Sequence, residues 1–287
     1  MIARINAYLA PVTVDYERDV LPLTPRGNAT ERHALVAYMQ AAARMHSDLA
    51  GFWASRLQVE RAQVEPLIGD TARLANLIRA RLMKRGGVGY VQPGPASFPT
   101  VDEFHRFVVQ CGALPCIAWL DGTSSGEQAI DELLHLLVGK GVVALNIIPD
   151  RNWNITKPEE RALKIQKLYE VVNLAREMEL PIIVGTEMNK AGQKLVDDFD
   201  AEPLRPLHAD FIAGADFAYG HTVMERTLGL GYQSKWAQSY LPERRARNAF
   251  YTEVGRLVTP GKKMLAQVAQ LSPEDKPQAL LAQLKTL

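Results

Sequence analysis

The sequence predicts an α/β protein built on a parallel sheet. Three short apolar segments, residues 114–119, 142–148 and 181–184, each run directly into polar residues. Between them lie two longer segments with the 3.6-residue apolar periodicity of helices, residues 127–138 and 158–179. Strands that are separated by helices of this length need crossover connections, so the three strands are expected to be parallel and buried.

Polar side chains follow each predicted strand, and we expect a functional site where they meet. Asp121 follows the first strand, Asp150 and Arg151 follow the second, and Glu187 follows the third after Gly185. Both α/β barrels and open α/β sheets build their sites at the carboxyl ends of parallel strands. The same residues would also suit ordinary loops that cap helices, and their spacing alone does not separate the two interpretations.

The flanking regions are predicted to be mainly helical. A helix is expected to begin after Asn28 or Thr30, which places His33 in its first turn. Residues 40–85 show no strand pattern and are interpreted as a helical insertion, followed by a short strand at 90–92. Beyond the third strand, helices are predicted at 204–215, 221–228, 242–258, 260–271 and 273–287. The expected domains are an α/β domain over residues 1–190 and a helical region over 191–287 packed on it.

Composition excludes some classes of function. The chain has 287 residues and a net charge of +1, so no overall attraction to nucleic acid or to an anionic membrane is expected. No apolar run reaches the roughly 18 residues of a membrane span, and the first residues lack the apolar region of a signal peptide. Cys111 and Cys116 have no spacing partners for a zinc site. They are expected to be free thiols in a reducing cytoplasm.

Several short motifs, taken in order, resemble those of the polymerase and histidinol phosphatase (PHP) family. They are Glu31-Arg32-His33-Ala34, Tyr90-Val91, Cys111-Gly112-Ala113 with Ala118-Trp119-Leu120, residues 144–152, and Gly185-Thr186-Glu187-Met188-Asn189. The resemblance implies a distorted (β/α) barrel with a helical insertion and a helical C-terminal layer. It also implies hydrolysis of a small phosphate ester by a cluster of divalent ions such as Mn, Fe or Zn.

A candidate site follows from two sources: the polar residues at the strand ends and the residues that match the motifs of the PHP family. The candidate catalytic residues are Glu187, Asp121 and Arg151. The candidate metal ligands are His33, Glu187 and Asn189. The candidate substrate-binding residues are Asp150, Asn152, Trp119 and His221.

The chain departs from the family at its metal ligands. Trp119 stands where the family has a histidine, Asn189 stands where it has its last histidine, and the opening His-X-His strand has no counterpart. Either the chain is a truncated form of a longer protein, or the barrel lacks its first strands and the site is degenerate. The sequence therefore predicts a PHP-type, metal-dependent hydrolase with a reduced or altered metal site. The alternative is an inactive barrel that binds a small molecule or a partner.

A second enzymatic interpretation uses the C-terminal helices. His208, Asp210 and His221 would form the site of a different hydrolase or isomerase, with Gly220 giving the backbone beside His221 its freedom. His208 and Asp210 are two residues apart and cannot share one helical face, which counts against this site.

Overall fold

The computed structural model describes residues 1–188 and 193–287, and the chain divides into two compact units, Met1–Phe98 and Pro99–Leu287. The sequence had placed the boundary between its α/β domain and its helical region near residue 190. None of the helices in the described ranges is long and apolar enough to cross a membrane.

The first unit is helical in its described secondary structure. Its α-helices are α1 (Ile2–Leu9), α2 (Glu31–Met45), α3 (Leu49–Leu57), α4 (Arg61–Val64) and α5 (Thr71–Leu82), with a π-helical turn at Tyr16–Val20 and 3-10 turns at Leu21–Leu23, Glu65–Leu67 and Pro95–Ser97. Residues 40–85, predicted as an insertion, share one core with α1 and the start of α2. Trp53, Tyr38 and Ile78 lie at its centre, each almost fully buried.

The second unit contains three strands and ten α-helices in its described residues. In chain order they are α6 (Val101–Gln110), β1 (Cys116–Trp119), α7 (Ser125–Gln128), α8 (Ile130–Gly139), β2 (Ala144–Ile147), α9 (Asp150–Trp153), α10 (Pro158–Glu177), β3 (Ile182–Val184), α11 (His208–Leu228), α12 (Lys235–Tyr240), α13 (Arg244–Leu257), α14 (Lys262–Val268) and α15 (Pro277–Leu284), with a 3-10 turn at Arg205–Leu207. The predicted alternation of strands and helices over residues 101–184 is present.

The three strands form one parallel sheet in the order β1-β2-β3. Ile117, Leu145 and Ile182 lie side by side across it, and Trp119, Ile147 and Val184 form the next row. These two rows lie in the same apolar core as residues of α8 and α10, such as Leu134 and Leu168. On the opposite face, Ala144 and Ile183 pack with residues of α11 and α13. Both faces are thus partly covered by helices, as is typical of parallel sheets.

Two predictions about this architecture are wrong. The PHP-like (β/α) barrel is not formed, because the protein is 60% helical and the described residues contribute only a three-stranded parallel sheet, which is not a closed barrel. The strand predicted at residues 90–92 is also absent. Pro93, Gly94 and Pro95 follow it at once, and these residues disfavour the extension of a strand.

Glycines allow α11 to pack directly on the backbone of its neighbours. A Cβ on Gly214 would lie 1.7 Å from the carbonyl oxygen of Ile182 in β3, and one on Gly220 would lie 1.8 Å from that of Tyr251 in α13. Gly255 of α13 approaches Asp216 in the same way. Gly220 therefore serves close packing inside one continuous helix, whereas the sequence had suggested a freed backbone between two helices.

Candidate functional site at the carboxyl ends of the strands

The parallel arrangement brings the carboxyl ends of β1, β2 and β3 to one edge of the sheet. We call this the carboxyl edge and define it as residues 120–124, 148–154 and 185–188. The predicted residues Asp121, Asp150, Arg151 and Glu187 all lie on it. Described side chains from elsewhere in the second unit complete the surroundings of this edge, notably Lys164 of α10 and Asp197.

Asp121 is a buried carboxylate held by three donors. The backbone N–H and the hydroxyl of Thr123 donate to its Oδ1 at 3.2 and 2.5 Å, and the Nζ of Lys164 lies 3.2 Å from its Oδ2. Burial alone would raise the pKa of Asp121, but Thr123 and Lys164 together lower it. Gly122 has a φ of +76°, so the tight turn that brings Thr123 back to Asp121 needs glycine.

Lys164 is the cation that pairs with Asp121. Its ammonium also lies 2.9 Å from Oε1 of Glu160, one helical turn earlier on α10, and its side chain is 14% exposed. The pKa of Lys164 is raised by the hydrogen bond to Glu160, which outweighs the opposing effect of burial, and Asp121 adds to the increase. Asp121 is therefore an anion and Lys164 a cation near neutral pH.

A second ion pair joins the ends of β2 and β3. Arg151 lies in the single-turn helix α9 and donates through Nη1 to Oε2 of Glu187 at 2.8 Å. Both side chains are about one-third exposed, at 34% and 29%, so a ligand at this edge could reach them. The planar guanidinium presents several donors in a fixed geometry, which suits the recognition of oxygen atoms.

Helix α9 also ties the edge to neighbouring segments. The Nδ2 of Asn152 donates to the carbonyl of Lys164 at 3.2 Å, and the Nδ2 of Asn154 donates to Oδ1 of Asp150 at 2.9 Å. The indole Nε1 of Trp153 donates to Oδ1 of Asp197 at 2.9 Å. The residues after β2 therefore connect the carboxyl edge to α10, through Asn152, and to Asp197, through Trp153.

Asp197 is a buried acid with an elevated pKa. Burial is the main cause of the raised pKa, and the nearby charge of Asp150 adds to it, while hydrogen bonds from the Trp153 indole and from the backbone N–H groups of Asp198 and Asp150 oppose it. A carboxyl group in such surroundings is more easily protonated than a free one. Perturbed acids of this kind concentrate at functional sites, although structural networks also produce them.

Three buried polar atoms around α9 have no hydrogen-bond partner of normal geometry within the described chain. They are Nε of Arg151, Oδ1 of Asn152 and Oδ2 of Asp197. Buried polar atoms in native proteins are almost always hydrogen-bonded, because an unpaired one costs about 1–3 kcal/mol. One donor and two acceptors are thus left at this edge for a bound molecule or for water.

The other predicted site residues lie elsewhere. His33 is in the first unit, where its Nδ1 accepts the N–H of Thr30 at 3.0 Å and helps to cap α2. Trp119 is 1% exposed and packs in the core of the sheet. His221 lies on α11, where its Nδ1 accepts the N–H of Tyr232 at 3.0 Å. Asn189 lies outside the described residues.

The side chains that are described do not fit the predicted metal centre. Nowhere in residues 1–188 and 193–287 are three or more His, Cys, Asp or Glu side chains grouped so that they could hold a metal ion. His33 and Glu187 belong to different compact units, and Glu187 is engaged by Arg151.

The rival site in the C-terminal helices is likewise not assembled. Asp210 lies in the first turn of α11 and forms a two-point ion pair with Arg176 of α10, at 3.0 and 2.7 Å. His208 lies 6.4 Å, ring to ring, from Phe199. His221 is more than three turns further along the same helix, bonded to the N–H of Tyr232.

Two residues of the site were not found from the sequence. Lys164 lies within the apolar stripe of α10, and the one available signal was its i,i+4 spacing from Glu160. Asp197 follows the third strand by more than ten residues, and the described residues around it, 193–204, form no helix or strand, so no local pattern pointed to it. No protein-family model, curated protein or solved structure matches the chain.

Proposed function

We propose that the second unit binds a small, hydroxyl-rich molecule, such as a sugar or another polyol, at the carboxyl edge. The observation that carries the proposal is the set of three buried, unpartnered polar atoms of the described chain, on Arg151, Asn152 and Asp197. They lie around one short helix and beside the partly exposed ion pair between Arg151 and Glu187. Parallel sheets commonly bind their ligands at this edge.

The balance of donors and acceptors favours hydroxyl groups. A hydroxyl group both donates and accepts, so it matches a site that offers the Nε–H of Arg151 as a donor and the oxygens of Asn152 and Asp197 as acceptors. A neutral ligand also leaves the two ion pairs of the edge intact.

The hydrolytic function expected from the PHP resemblance has less support. It relied on a barrel that is not formed and on metal ligands that the described residues do not bring together. The alternative that the sequence left open, a protein that binds a small molecule, needs neither a barrel nor a metal. We further propose a cytoplasmic location, since Cys111 and Cys116 are both unpaired thiols.

A ligand screen tests the proposal. Purified protein is heated with individual aldoses, alditols and sugar acids, and its unfolding temperature is recorded. A ligand at ten times its Kd stabilises the folded state by about 1.4 kcal/mol, which corresponds to a rise of about 3–6 °C for a unit of this size. Ligands that raise the unfolding temperature are then measured on Glu187→Gln, which keeps the side-chain shape and removes the charge.

Asp210→Asn is the matched control, because Asp210 forms a comparable ion pair with Arg176 in the same unit. The proposal requires weaker binding by Glu187→Gln and unchanged binding by Asp210→Asn. It is rejected if no polyol binds, or if both variants bind as tightly as the wild-type protein.

A further inference from the structure

A cavity lies in the same unit, at the amino-terminal end of the sheet. It has a volume of about 640 Å³, within the usual range for small-molecule sites. The cavity is lined by residues 110–114, Cys116 of β1, Ile183 of β3 and one face of α11. All of its lining residues belong to the second unit, and none belongs to the carboxyl edge as defined above.

Two opposite charges line this cavity and are not neutralised by other described residues. Glu225 and Arg226 are consecutive in α11, and neither forms a hydrogen bond or an ion pair through its side chain within the part of the chain that the structure describes. Consecutive residues on a helix point about 100° apart and do not face each other. Both charges are thus available to a third group.

The carboxylate of Glu225 lies between two glycines. A Cβ on Gly231 would lie 2.0 Å from its Oε2, and a Cβ on Gly112 would lie 3.1 Å from its Oε1. Gly112 has a φ of +64°, so the residue that leaves room for the carboxylate also has a backbone conformation that favours glycine. The ring of His221 contributes to the same wall, since its Cε1 would lie 3.0 Å from a Cβ on Gly231.

His221 is a fixed part of the wall and carries no positive charge near neutral pH. Its Nδ1 accepts the N–H of Tyr232, and its Nε2 donates to the carbonyl of Gly112 at 3.3 Å. Burial lowers its pKa, against opposing effects of the Gly112 carbonyl and of Glu225. It therefore does not neutralise Glu225, whose partly buried carboxylate is left without a cation.

We propose that this cavity binds a free α-amino acid or a closely related zwitterion. The ammonium group of the ligand pairs with Glu225, and its carboxylate pairs with Arg226. The side chain of the ligand lies in the part of the cavity lined by Leu114, Cys116 and Ile183, so an apolar or small side chain is preferred. The assignment does not depend on the proposed polyol site.

The test uses the full chain and each of the common L-amino acids in separate calorimetric titrations. We expect at least one amino acid to bind. For that ligand, Glu225→Gln and Arg226→Met should each weaken binding about tenfold or more, because each removes a charge-assisted contact. Glu177→Gln and Arg161→Met alter exposed charges on α10 and serve as controls; both should bind as the wild-type protein does.

Ligand analogues keep the test decisive if a variant folds poorly. The N-acetylated amino acid lacks the ammonium group and the amino acid amide lacks the carboxylate, so each should bind the wild-type protein about tenfold more weakly. Glu225→Gln should not weaken binding of the N-acetylated analogue any further. The assignment is overturned if no amino acid binds at millimolar concentration, or if binding is unaffected by these two substitutions and by both modifications of the ligand.

Discussion

The ammonium of Lys164 lies 3.2 Å from the carboxylate of Asp121, and both side chains are nearly buried, at 14% and 12% exposure. This pair connects the end of β1 to α10, which covers one face of the sheet. Removing one member of a buried pair leaves the other without its partner, and this typically costs about 3–5 kcal/mol. Because both groups retain some exposure, a cost near the lower end of that range is expected.

Lys164→Met is therefore expected to lower the free energy of unfolding by about 3 kcal/mol. Denaturant unfolding of the variant measures this. Lys167→Met is the control, because Lys167 forms a partly exposed i,i+3 pair with Glu170 on the same helix, methionine retains most of its aliphatic chain, and the change should cost at most about 0.5 kcal/mol. The double variant Asp121→Asn, Lys164→Met should recover part of the lost stability. Equal losses in the two lysine variants would show that the buried pair has no special role.

The close packing of α11 on α13 gives a second prediction. Gly220→Ala would place a methyl group 1.8 Å from the carbonyl oxygen of Tyr251, so the helices must separate. The higher helix propensity of alanine recovers only about 1 kcal/mol, and we expect a net loss of about 2 kcal/mol or more. Gly139→Ala, which meets no atom within 4 Å, should change stability by less than about 0.5 kcal/mol. A stable Gly220→Ala protein would contradict this packing.

The buried His221 predicts a loss of stability in mild acid. Its pKa is lowered from 6.5 in the folded state, so the unfolded chain binds the proton more readily. The stability contributed by neutral His221 is therefore complete above about pH 6.5 and decreases as the pH falls below that value. Protonation would also place a second N–H against the donating N–H of Tyr232.

Urea unfolding at about pH 7.5 and about pH 5.5 measures this loss. His221→Gln should lose less stability between the two pH values than the wild-type protein. His135→Gln changes an exposed histidine of α8 and should behave like the wild-type protein. If His221→Gln retains the full pH dependence, the acid sensitivity arises elsewhere.

Asp197 gives a prediction of opposite sign. Its folded-state pKa is raised above 3.8, so its effect on stability is favourable at low pH and is lost as the pH rises through the folded-state pKa. Asp197→Asn keeps an oxygen that accepts from Trp153 and Asp198 but removes the buried charge. Thermal unfolding near neutral pH should show unchanged stability or a gain of up to about 1 kcal/mol. A clear loss would mean that the carboxylate is stabilised by contacts that these hydrogen bonds do not include.

The sheet could be predicted from the sequence because its signals are local. The three strands begin and end within two residues of their predicted bounds, because a Pro or Gly lies close to one end of each: Pro115 before β1, Gly141 shortly before β2 and Gly185 after β3. Parallel pairing followed from the helices between the strands. Asp121, Arg151 and Glu187 were found because strand direction alone places them on one edge.

Local sequence signals could not predict whether the sheet closes into a barrel. A sheet closes into a barrel only if enough strands pair with one another. Short motifs such as Tyr90-Val91 carry no information on the number of paired strands. The continuous helix α11 was divided in the prediction because Gly214 and Gly220 disfavour a helix in isolation. Their benefit comes from contact with β3 and α13, which are distant in the sequence. Lys164 was missed for the same reason, since its partner Asp121 is 43 residues away.

The central claim, that the carboxyl edge binds a hydroxyl-rich molecule, is tested most directly by a double-mutant cycle between Glu187 and one ligand hydroxyl. Calorimetry gives the Kd of the best polyol from the screen and of its single-deoxy analogues, for the wild-type protein and for Glu187→Gln. We predict that, with the wild-type protein, one deoxy analogue has a Kd about tenfold higher than the parent polyol. With Glu187→Gln, the same analogue and the parent polyol should have equal Kd values. If every deoxy analogue loses the same factor in both proteins, Glu187 does not contact the ligand and the site lies elsewhere.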